Sequence, residues 1–276
     1  MAEPAPIPPA AQTVHSAFRP PPGPYRIFVS TPCDDGHRLC FWDSLRALER
    51  ASILGHTKHR YRIYTTPGDS LIPRARNNHA HHFYTQTVDD FILSIDSDLD
   101  FRWQDVDNLF DNAGPVMAGK YAIKTEALQW CLNSIPGQLV DPMTQRQFVS
   151  TAGTGFLAVH RHVIGTLYTE ADQWTKWPIR YVEDGSGRLV HDIYHNGVVR
   201  DPEWFPTAEP YGRYLSEDWG FCYLARRHGF SITCDHRCIA LHEGHTKYPT
   251  QLRRLTQEET ARGIIQQPDG TVTPIQ

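Results

Sequence analysis

Residues 88–98, which read VDDFILSIDSD, decide the fold class of this chain. A short apolar run of the kind that forms a buried strand ends there in two carboxylates, Asp96 and Asp98, separated by one residue. Because successive side chains of an extended chain alternate between faces, the two carboxylates are predicted to converge on one point. Ligands of open α/β sheets bind beyond the carboxyl ends of strands, and Mg²⁺ or Mn²⁺ shares oxygen ligands with substrate phosphates. The segment therefore predicts a divalent-metal site that holds a diphosphate.

Such acids also occur in capped loops and in EF-hands. Short Asp-x-Asp segments also occur in loops, where the carboxylates cap helices or turns. Asp100 extends the alternation and suggests an EF-hand, but that loop needs Gly at its sixth position and Glu at its twelfth. This chain has Phe101 and Asp107 there, and a strand-like run precedes the acids where an EF-hand has a helix. The EF-hand is therefore set aside.

Strands and helices alternate on both sides of this segment. The pattern predicts strands at 25–30, 59–65, 89–95 and 116–119, with helices at 41–54, 71–84 and 103–112 between them. Such alternation is typical of an α/β fold with a mostly parallel, Rossmann-like central sheet and helices on both faces.

The remaining segments have a different character. Residues 1–24 are rich in Pro and Ala and are predicted to form a flexible tail. Further on, a strand at 156–159 leads into a helix from about Arg161, and an irregular aromatic segment follows at 171–214. A helix at 217–228, strands at 230–234 and 238–241, and a terminal helix at 251–265 with a tail complete the prediction.

Composition excludes several classes of protein. The 276 residues carry a net charge of −4, so no general basic field attracts nucleic acid or anionic membrane. The sequence contains no apolar run of the ~20 residues that span a membrane and no secretory signal at its start. The six cysteines form no Cys-x-x-Cys pair and are too sparse for a disulfide scaffold. We therefore expect a cytoplasmic protein with reduced thiols.

Other segments supply residue types that suit phosphate chemistry. Arg74 and Arg76 are suited to phosphate oxygens through their guanidinium forks, although a solvated helix face is the more common explanation of such residues when they are taken alone. The small residues of 150–156 (STAGTGF) let backbone approach a ligand closely, or simply form a turn before a strand.

Two further segments suit proton transfer and metal binding. Ser216 is a predicted N-cap that places Glu217 and Asp218 in the first turn of a helix, where a carboxylate can act as a general base. His242 follows a short strand and is a candidate metal ligand. A structural zinc site is a weaker alternative, because too few residues separate its Cys and His halves. Its four ligands would be Cys234, Cys238, His242 and His245.

Taken in order, these segments resemble the GT-A class of nucleotide-sugar glycosyltransferases. The motifs that carry the resemblance are 74–77 (RARN), 96–98 (DSD), 119–124 (GKYAIK), 153–156 (GTGF), 217–222 (EDWGFC) and 241–244 (LHEG). The pattern is similar to mannan-type mannosyltransferases and to bacterial and phage glycosyltransferases. It implies one domain over 25–245, with a donor-binding half at 25–120, an acceptor half at 121–245 and a small antiparallel second sheet.

The resemblance also implies roles for individual residues. Asp98 and His242 would bind Mn²⁺ or Mg²⁺, and Asp96 would contact the metal ion or the nucleotide ribose. Asp218, beside Glu217, would deprotonate the acceptor in an inverting enzyme or position the sugar in a retaining one. The residues implied to bind the donor are Arg74, Arg76, Asn77, Asp96, Lys120, Gly153 and Gly155.

The implied reaction transfers a sugar from a UDP- or GDP-sugar to a hydroxyl of a glycan or of a hydroxymethylated DNA base. A nucleotidyltransferase is an alternative that would need a Gly-rich loop and a basic residue after the first strand. Residues 30–36 (STPCDDG) lack both. A non-catalytic sugar- or nucleotide-binding module of the same fold is the other alternative.

Overall fold

The computed structural model describes residues 18–33, 39–125, 129–174, 180–183, 185–205, 208, 211–243, 264–266 and 272–274. Within these ranges the chain forms five helices and a large mixed sheet. The helices are α1 (Leu39–Ile53), α2 (Ile72–Gln86), α3 (Trp103–Leu109), α4 (Arg161–Trp174) and α5 (Glu217–Arg227).

One central sheet organises the molecule. Its eight strands are β1 (Arg26–Cys33), β2 (Arg60–Pro67), β3 (Phe91–Ile95), β5 (Val116–Lys120), β6 (Leu132–Ser134), β7 (Arg146–Ala152), β8 (Phe156–His160) and β13 (Ile232–Ile239). They are ordered β2-β1-β3-β8-β5-β13-β7-β6. The pairings make β7 and β8 antiparallel to their neighbours, so the other six strands share one direction. The predicted α/β class with a mostly parallel sheet is confirmed.

Helices cover both faces of this sheet. Along β1, Ile27 and Val29 pack into one apolar cluster with Phe41 of α1, whereas Phe28 packs into a second cluster with Phe83 of α2. α3 contributes to the first cluster, and α4 and α5 contribute to the second. The central strands are therefore buried on both sides, as expected for parallel strands covered by helices.

Small antiparallel ladders surround the central sheet, as the resemblance implied. They pair β4 (Leu99–Asp100) with β14 (Leu241–His242), β9 (Arg180–Val182) with β10 (Leu189–His191), β11 (Gly197–Val199) with β12 (Arg213–Leu215), and β15 (Ile264–Gln266) with β16 (Val272–Pro274). The β4–β14 ladder has a functional consequence, because it places the end of β13 beside the carboxyl end of β3.

Several predicted boundaries differ from the structure. Residues 232–239 form one bulged strand instead of two, and 264–265 lie in a strand, although the rest of the predicted terminal helix lies outside the described residues. At the other end, Phe18 packs against His162 with ring centroids 4.4 Å apart, and the Tyr25 hydroxyl donates to the Pro21 carbonyl oxygen at 2.7 Å. Phe18 and the Pro21 carbonyl group thus contact other described residues, although residues 19 and 21–24 are exposed, and the flexible tail at 1–24 stays a prediction.

Two observations concern membranes and cysteines. Among the described residues, no helix combines the length and apolar character that crossing a membrane requires. None of the six cysteines, all of which lie among the described residues, forms a disulfide bond, and four of them are buried.

A buried histidine predicts how stability depends on pH. His79 is 1% exposed and lies between Ser30 Oγ, 2.6 Å from Nδ1, and Thr66 Oγ1, 2.5 Å from Nε2. Burial, aided by the charge of Arg76, lowers its pKa to about 4. As pH falls, this histidine takes up a proton near pH 6.5 in the unfolded chain but only near pH 4 in the folded protein. The free energy of unfolding therefore decreases as pH falls from 6.5 to 4.

The His79→Gln variant keeps polar atoms in this position but cannot titrate. Urea unfolding at pH 7 and pH 4.5 should show a wild-type loss that exceeds the loss in His79→Gln by about 2 kcal/mol. The exposed His56→Gln variant serves as the control and should behave as the wild type does. If the wild type and His79→Gln lost the same free energy of unfolding between pH 7 and pH 4.5, the low pKa of His79 would be contradicted.

Candidate functional site

The carboxyl end of β3 turns instead of continuing as a strand. The Asp96 N–H donates to the Gly155 carbonyl oxygen at 2.9 Å, and the Leu99 N–H returns to the Asp96 carbonyl oxygen at 3.2 Å. The alternation that was predicted to aim Asp96 and Asp98 at one point requires an extended chain. The chain turns here instead, and the two carboxylates have different partners, so a metal ion shared by both stays a prediction.

Asp96 forms an ion pair with Arg76 of α2. Both terminal guanidinium nitrogens lie within 3.1 Å of Asp96 Oδ1, and the Arg76 side chain is only 4% exposed. Burial disfavours the charged guanidinium, but the carboxylates of Asp96 and Asp218 outweigh burial and raise the pKa of Arg76. Burial also raises the pKa of Asp96. Arg76, predicted to bind the diphosphate, thus lies inside the site as the counter-ion of its acids.

Asp98 faces two basic side chains. Pairing of β14 with β4 brings His242 Nε2 to 3.1 Å from Asp98 Oδ2, and the Lys124 ammonium lies 2.5 Å from the same oxygen. Burial alone would raise the pKa of Asp98, but hydrogen bonds from His242 and Lys124 lower it to about 2. Asp98 is therefore a carboxylate over the whole physiological range.

The chemistry of this pair fits a cation. His242 Nδ1 lies 2.8 Å from the Ala122 carbonyl oxygen, which only accepts hydrogen bonds, so Nδ1 carries the ring proton. The other ring nitrogen, Nε2, lies 3.1 Å from Asp98 Oδ2, and either a proton on Nε2 or a cation held by both atoms accounts for this approach. Asp98 Oδ1 is buried and has no hydrogen-bond partner. A carboxylate and an imidazole are both common ligands of divalent metal ions, so Asp98 and His242 fit the role of protein ligands to such an ion.

The predicted ligand set is nevertheless incomplete. In the part of the chain that the structure describes, no three His, Cys, Asp or Glu side chains are grouped to bind one metal ion. Asp96 is bound to Arg76 instead of joining Asp98 and His242. The same observation gives no support to zinc on Cys234, Cys238 and His242, while His245 lies outside the described residues.

Asp218 lies in the first turn of α5, close to Asp96. Its Oδ1 accepts hydrogen bonds from the Thr154 N–H at 3.0 Å and from the Thr154 hydroxyl. Ser216 is the N-cap residue, as predicted, but its side chain makes no capping hydrogen bond. Burial, followed by the charge of Asp218, raises the pKa of Glu217. Of the two acids, Asp218 is the one whose orientation is fixed by the neighbouring loop.

The loop that contains Gly153 and Gly155 connects these acids. Thr154 binds Asp218, and the next residue, Gly155, receives the Asp96 N–H. The Gly155 N–H donates to the Tyr121 hydroxyl at 3.1 Å, and the Tyr121 ring lies perpendicular to His242 at 5.5 Å. The missing side chains of Gly153 and Gly155 therefore leave room for protein side chains such as Tyr121. The sequence had suggested that they let the backbone approach a ligand. Tyr121 and Lys124 were given no role from the sequence, although both lie in the motif at 119–124, whereas Thr154 lies in 153–156, the segment that the resemblance implied would line the sugar and acceptor site.

Adding a methyl group at Gly155 should disrupt this connection. A Cβ there would lie 2.5 Å from Asp96 Oδ2 and 2.7 Å from the Tyr121 hydroxyl oxygen. We expect Gly155→Ala to lower the free energy of unfolding by about 1–3 kcal/mol, because a packed site must shift to admit the methyl group. Gly23→Ala, whose Cβ would meet nothing within 4 Å, is the control. Equal stability of the two variants in urea would contradict this packing argument.

Three predicted donor-binding residues have other partners here. Arg74 is half exposed and pairs with Asp69 at 2.7 Å. The buried Asn77 donates to Asp192 at 2.7 Å and accepts the Tyr194 N–H at 2.9 Å. The Lys120 ammonium lies 4.2 Å from the centre of the Trp130 ring. These contacts position the segment around residue 192 and the end of β5.

Comparisons with known proteins give structural likenesses only. No protein-family model matches the sequence, and no curated protein matches it. Solved structures with a similar arrangement include A197 from STIV, at 14% identity and a TM-score of 0.44 over 90% of this chain and 92% of that one. GalNAc-T7 with UDP, GalNAc and Mn²⁺ is 8% identical, with a TM-score of 0.43 over 86% of this chain and 47% of that one.

The catalytic domain of Drosophila β1,4-galactosyltransferase 7, in complex with xylobiose, is 15% identical to this chain. Its TM-score is 0.40 over 86% of this chain and 79% of that one. This chain spans about half of the GalNAc-T7 chain, at 47%. At such identities and TM-scores, these likenesses say nothing about the reaction or the substrate of this chain.

Proposed function

We propose that this protein is a metal-dependent glycosyltransferase that moves a sugar from a nucleotide-diphosphate sugar to an acceptor hydroxyl. One observation carries the proposal. The Asp98–His242 pair and Asp218 lie at the same edge of the sheet, connected through Thr154 and Gly155. A cation-binding pair next to a fixed carboxylate provides the two functions that glycosyl transfer requires, which are neutralisation of the leaving diphosphate and removal of a proton.

The donor half of the site would be built from Asp98, His242 and Lys124. Asp98 Oδ1 and His242 Nε2 are the atoms available to hold Mn²⁺ or Mg²⁺, and such an ion acts as a Lewis acid toward the diphosphate oxygens. Asp98 is the one carboxylate of the Asp-x-Asp segment with this role, because Asp96 balances Arg76. The guanidinium of Arg76 is buried, and it places a positive charge close to the carboxylates of Asp96 and Asp218.

The acceptor half would be organised around Asp218. The acceptor oxygen attacks the anomeric carbon, the bond from that carbon to the phosphate oxygen breaks, and the nucleoside diphosphate leaves. Asp218 takes the hydroxyl proton, with its Oδ1 held by Thr154. Trp219 and Tyr214, which are 36% and 63% exposed, are near this acid in the sequence and offer rings on which a sugar can stack. A net charge of −4 favours a carbohydrate over a hydroxymethylated DNA base as the acceptor.

Binding measurements on the wild-type protein test the donor site. We expect calorimetry to show binding of UDP or GDP with Mn²⁺ and its loss in chelator, and a preference for GDP would agree with the mannosyltransferase resemblance. A screen of the matching sugar nucleotides against saccharides should then release nucleoside diphosphate. Release of pyrophosphate from a nucleoside triphosphate and a sugar phosphate would indicate a nucleotidyltransferase. Binding without any turnover would indicate a binding module, and absence of nucleotide binding would reject the proposal.

A further inference from the structure

The Lys124 ammonium has an unusual position in this site. It lies 2.5 Å from Asp98 Oδ2, the same oxygen that faces His242 Nε2. The Lys124 side chain is 33% exposed and the Asp98 side chain 20%, so this ion pair is more protected than an ordinary surface pair. A single positive charge therefore occupies the carboxylate that the proposed function assigns to a divalent ion.

Lys124 is held close to this position by its loop. The Ile123 N–H donates to the Gln129 carbonyl oxygen at 2.8 Å, and the Cys131 N–H donates to the Tyr121 carbonyl oxygen at 2.9 Å. The backbone around Lys124 is thus anchored, whereas its four-carbon side chain can rotate. The ammonium can leave Asp98 and still remain within the length of one side chain.

Charge makes the two cations mutually exclusive at Asp98. An ammonium and a divalent ion on one carboxylate repel each other, so occupation by one displaces the other. A nucleotide diphosphate bound at this edge brings negative oxygens, and these are good partners for a displaced ammonium. Lys124 thus has two alternative anionic partners within its reach.

We propose that Lys124 is an internal counter-cation that occupies Asp98 in the ligand-free protein and transfers to the donor diphosphate when a divalent ion is bound. The inference rests on the proposed function, since it takes Asp98 as a metal ligand and a diphosphate as the donor group. It predicts that removing the lysine charge has opposite effects on the two ligands. Affinity for the metal ion alone rises, and affinity for the nucleotide falls.

The experiment compares Lys124→Met with the wild type by calorimetry. We expect Mn²⁺ without nucleotide to bind Lys124→Met about tenfold more tightly, because no ammonium competes for Asp98. In saturating Mn²⁺, we expect UDP or GDP, whichever the wild type binds, to bind Lys124→Met about tenfold more weakly. Lys124→Arg keeps the charge and should restore nucleotide affinity while leaving Mn²⁺ affinity near the wild-type value.

Lys58→Met is the matched control. Lys58 also pairs with an aspartate, Asp111, at 2.8 Å, but it lies just before β2, whose first residue pairs with the first residue of β1. This variant should bind both ligands as the wild type does. Thermal melting of each variant shows whether it is folded, and Lys124→Gln replaces Lys124→Met if the latter is not.

The possible failures are distinguishable. An unchanged Mn²⁺ affinity in Lys124→Met overturns the proposal that Lys124 is a counter-cation. A loss of affinity for both Mn²⁺ and the nucleotide also overturns it, because that result indicates a purely structural loop contact. In either case, Mn²⁺-dependent nucleotide binding by the wild type still supports the donor site. If the wild type binds no nucleotide with Mn²⁺, the proposed function itself is rejected and the counter-cation with it.

Discussion

The Asp218→Asn variant should transfer sugar about 10²–10⁴-fold more slowly than the wild type while binding the donor nucleotide equally well. Asparagine preserves the shape of the side chain and its hydrogen bond from the Thr154 N–H, which lies 3.0 Å from Asp218 Oδ1. It cannot accept the proton of the acceptor hydroxyl. The loss should therefore affect the rate constant of transfer, with little change in the dissociation constant of the nucleotide.

Glu217→Gln is the matched control for this variant, because it removes the neighbouring carboxylate in the same helical turn. Burial raises the pKa of Glu217, and the loop contact from Thr154 goes to Asp218 instead. We expect Glu217→Gln to keep most of the activity. Steady-state rates with the identified donor and acceptor decide between the two acids. If Glu217→Gln is the more damaging change, the base is Glu217 and Asp218 serves to position it.

The Asp98→Asn variant should lose at least about 100-fold in Mn²⁺-dependent nucleotide affinity. The amide is neutral, so it holds a divalent ion poorly and no longer balances the Lys124 ammonium. Calorimetric titration of UDP and GDP with Mn²⁺ measures the effect directly. Chelator should weaken nucleotide binding by the wild type but should leave the weak binding by Asp98→Asn unchanged.

Asp111→Asn controls for the loss of a lysine partner. Asp111 pairs with Lys58 at 2.8 Å, so its removal also frees an ammonium, but away from the β4–β14 ladder. This variant should keep wild-type nucleotide affinity. Metal-dependent binding that survives in Asp98→Asn would show that the ion is held elsewhere, and the donor site would then have to be assigned again.

Local patterns predicted the central strands and helices because their side chains are buried in a regular alternation. The run at 91–95 is buried at every position and was recognisable as a strand from its apolar residues. β6 and β7 were missed. Their sequences, LNS and RQFVSTA, mix polar and apolar residues, as the edge position of β6 allows.

The site was predicted less completely than the fold. Asp98, His242 and Asp218 are brought to one edge of the sheet, in agreement with the motifs. Asp96 and Arg76 also lie there, but they bind each other. The motifs indicated which residues gather at the edge, whereas the partner of each side chain depends on a turn and on burial that no local pattern encodes.

By itself, the sequence determined the α/β class, the strand that ends at Ile95 and the acidic character of the site. These properties follow from apolar periodicity and residue type, which act over a few neighbouring positions. The tertiary structure alone decided that Asp98 meets His242, 144 residues away, and that Asp96 is bound to Arg76. Such contacts depend on strand register and on the turn after β3, because a one-residue change in either would direct the side chains elsewhere.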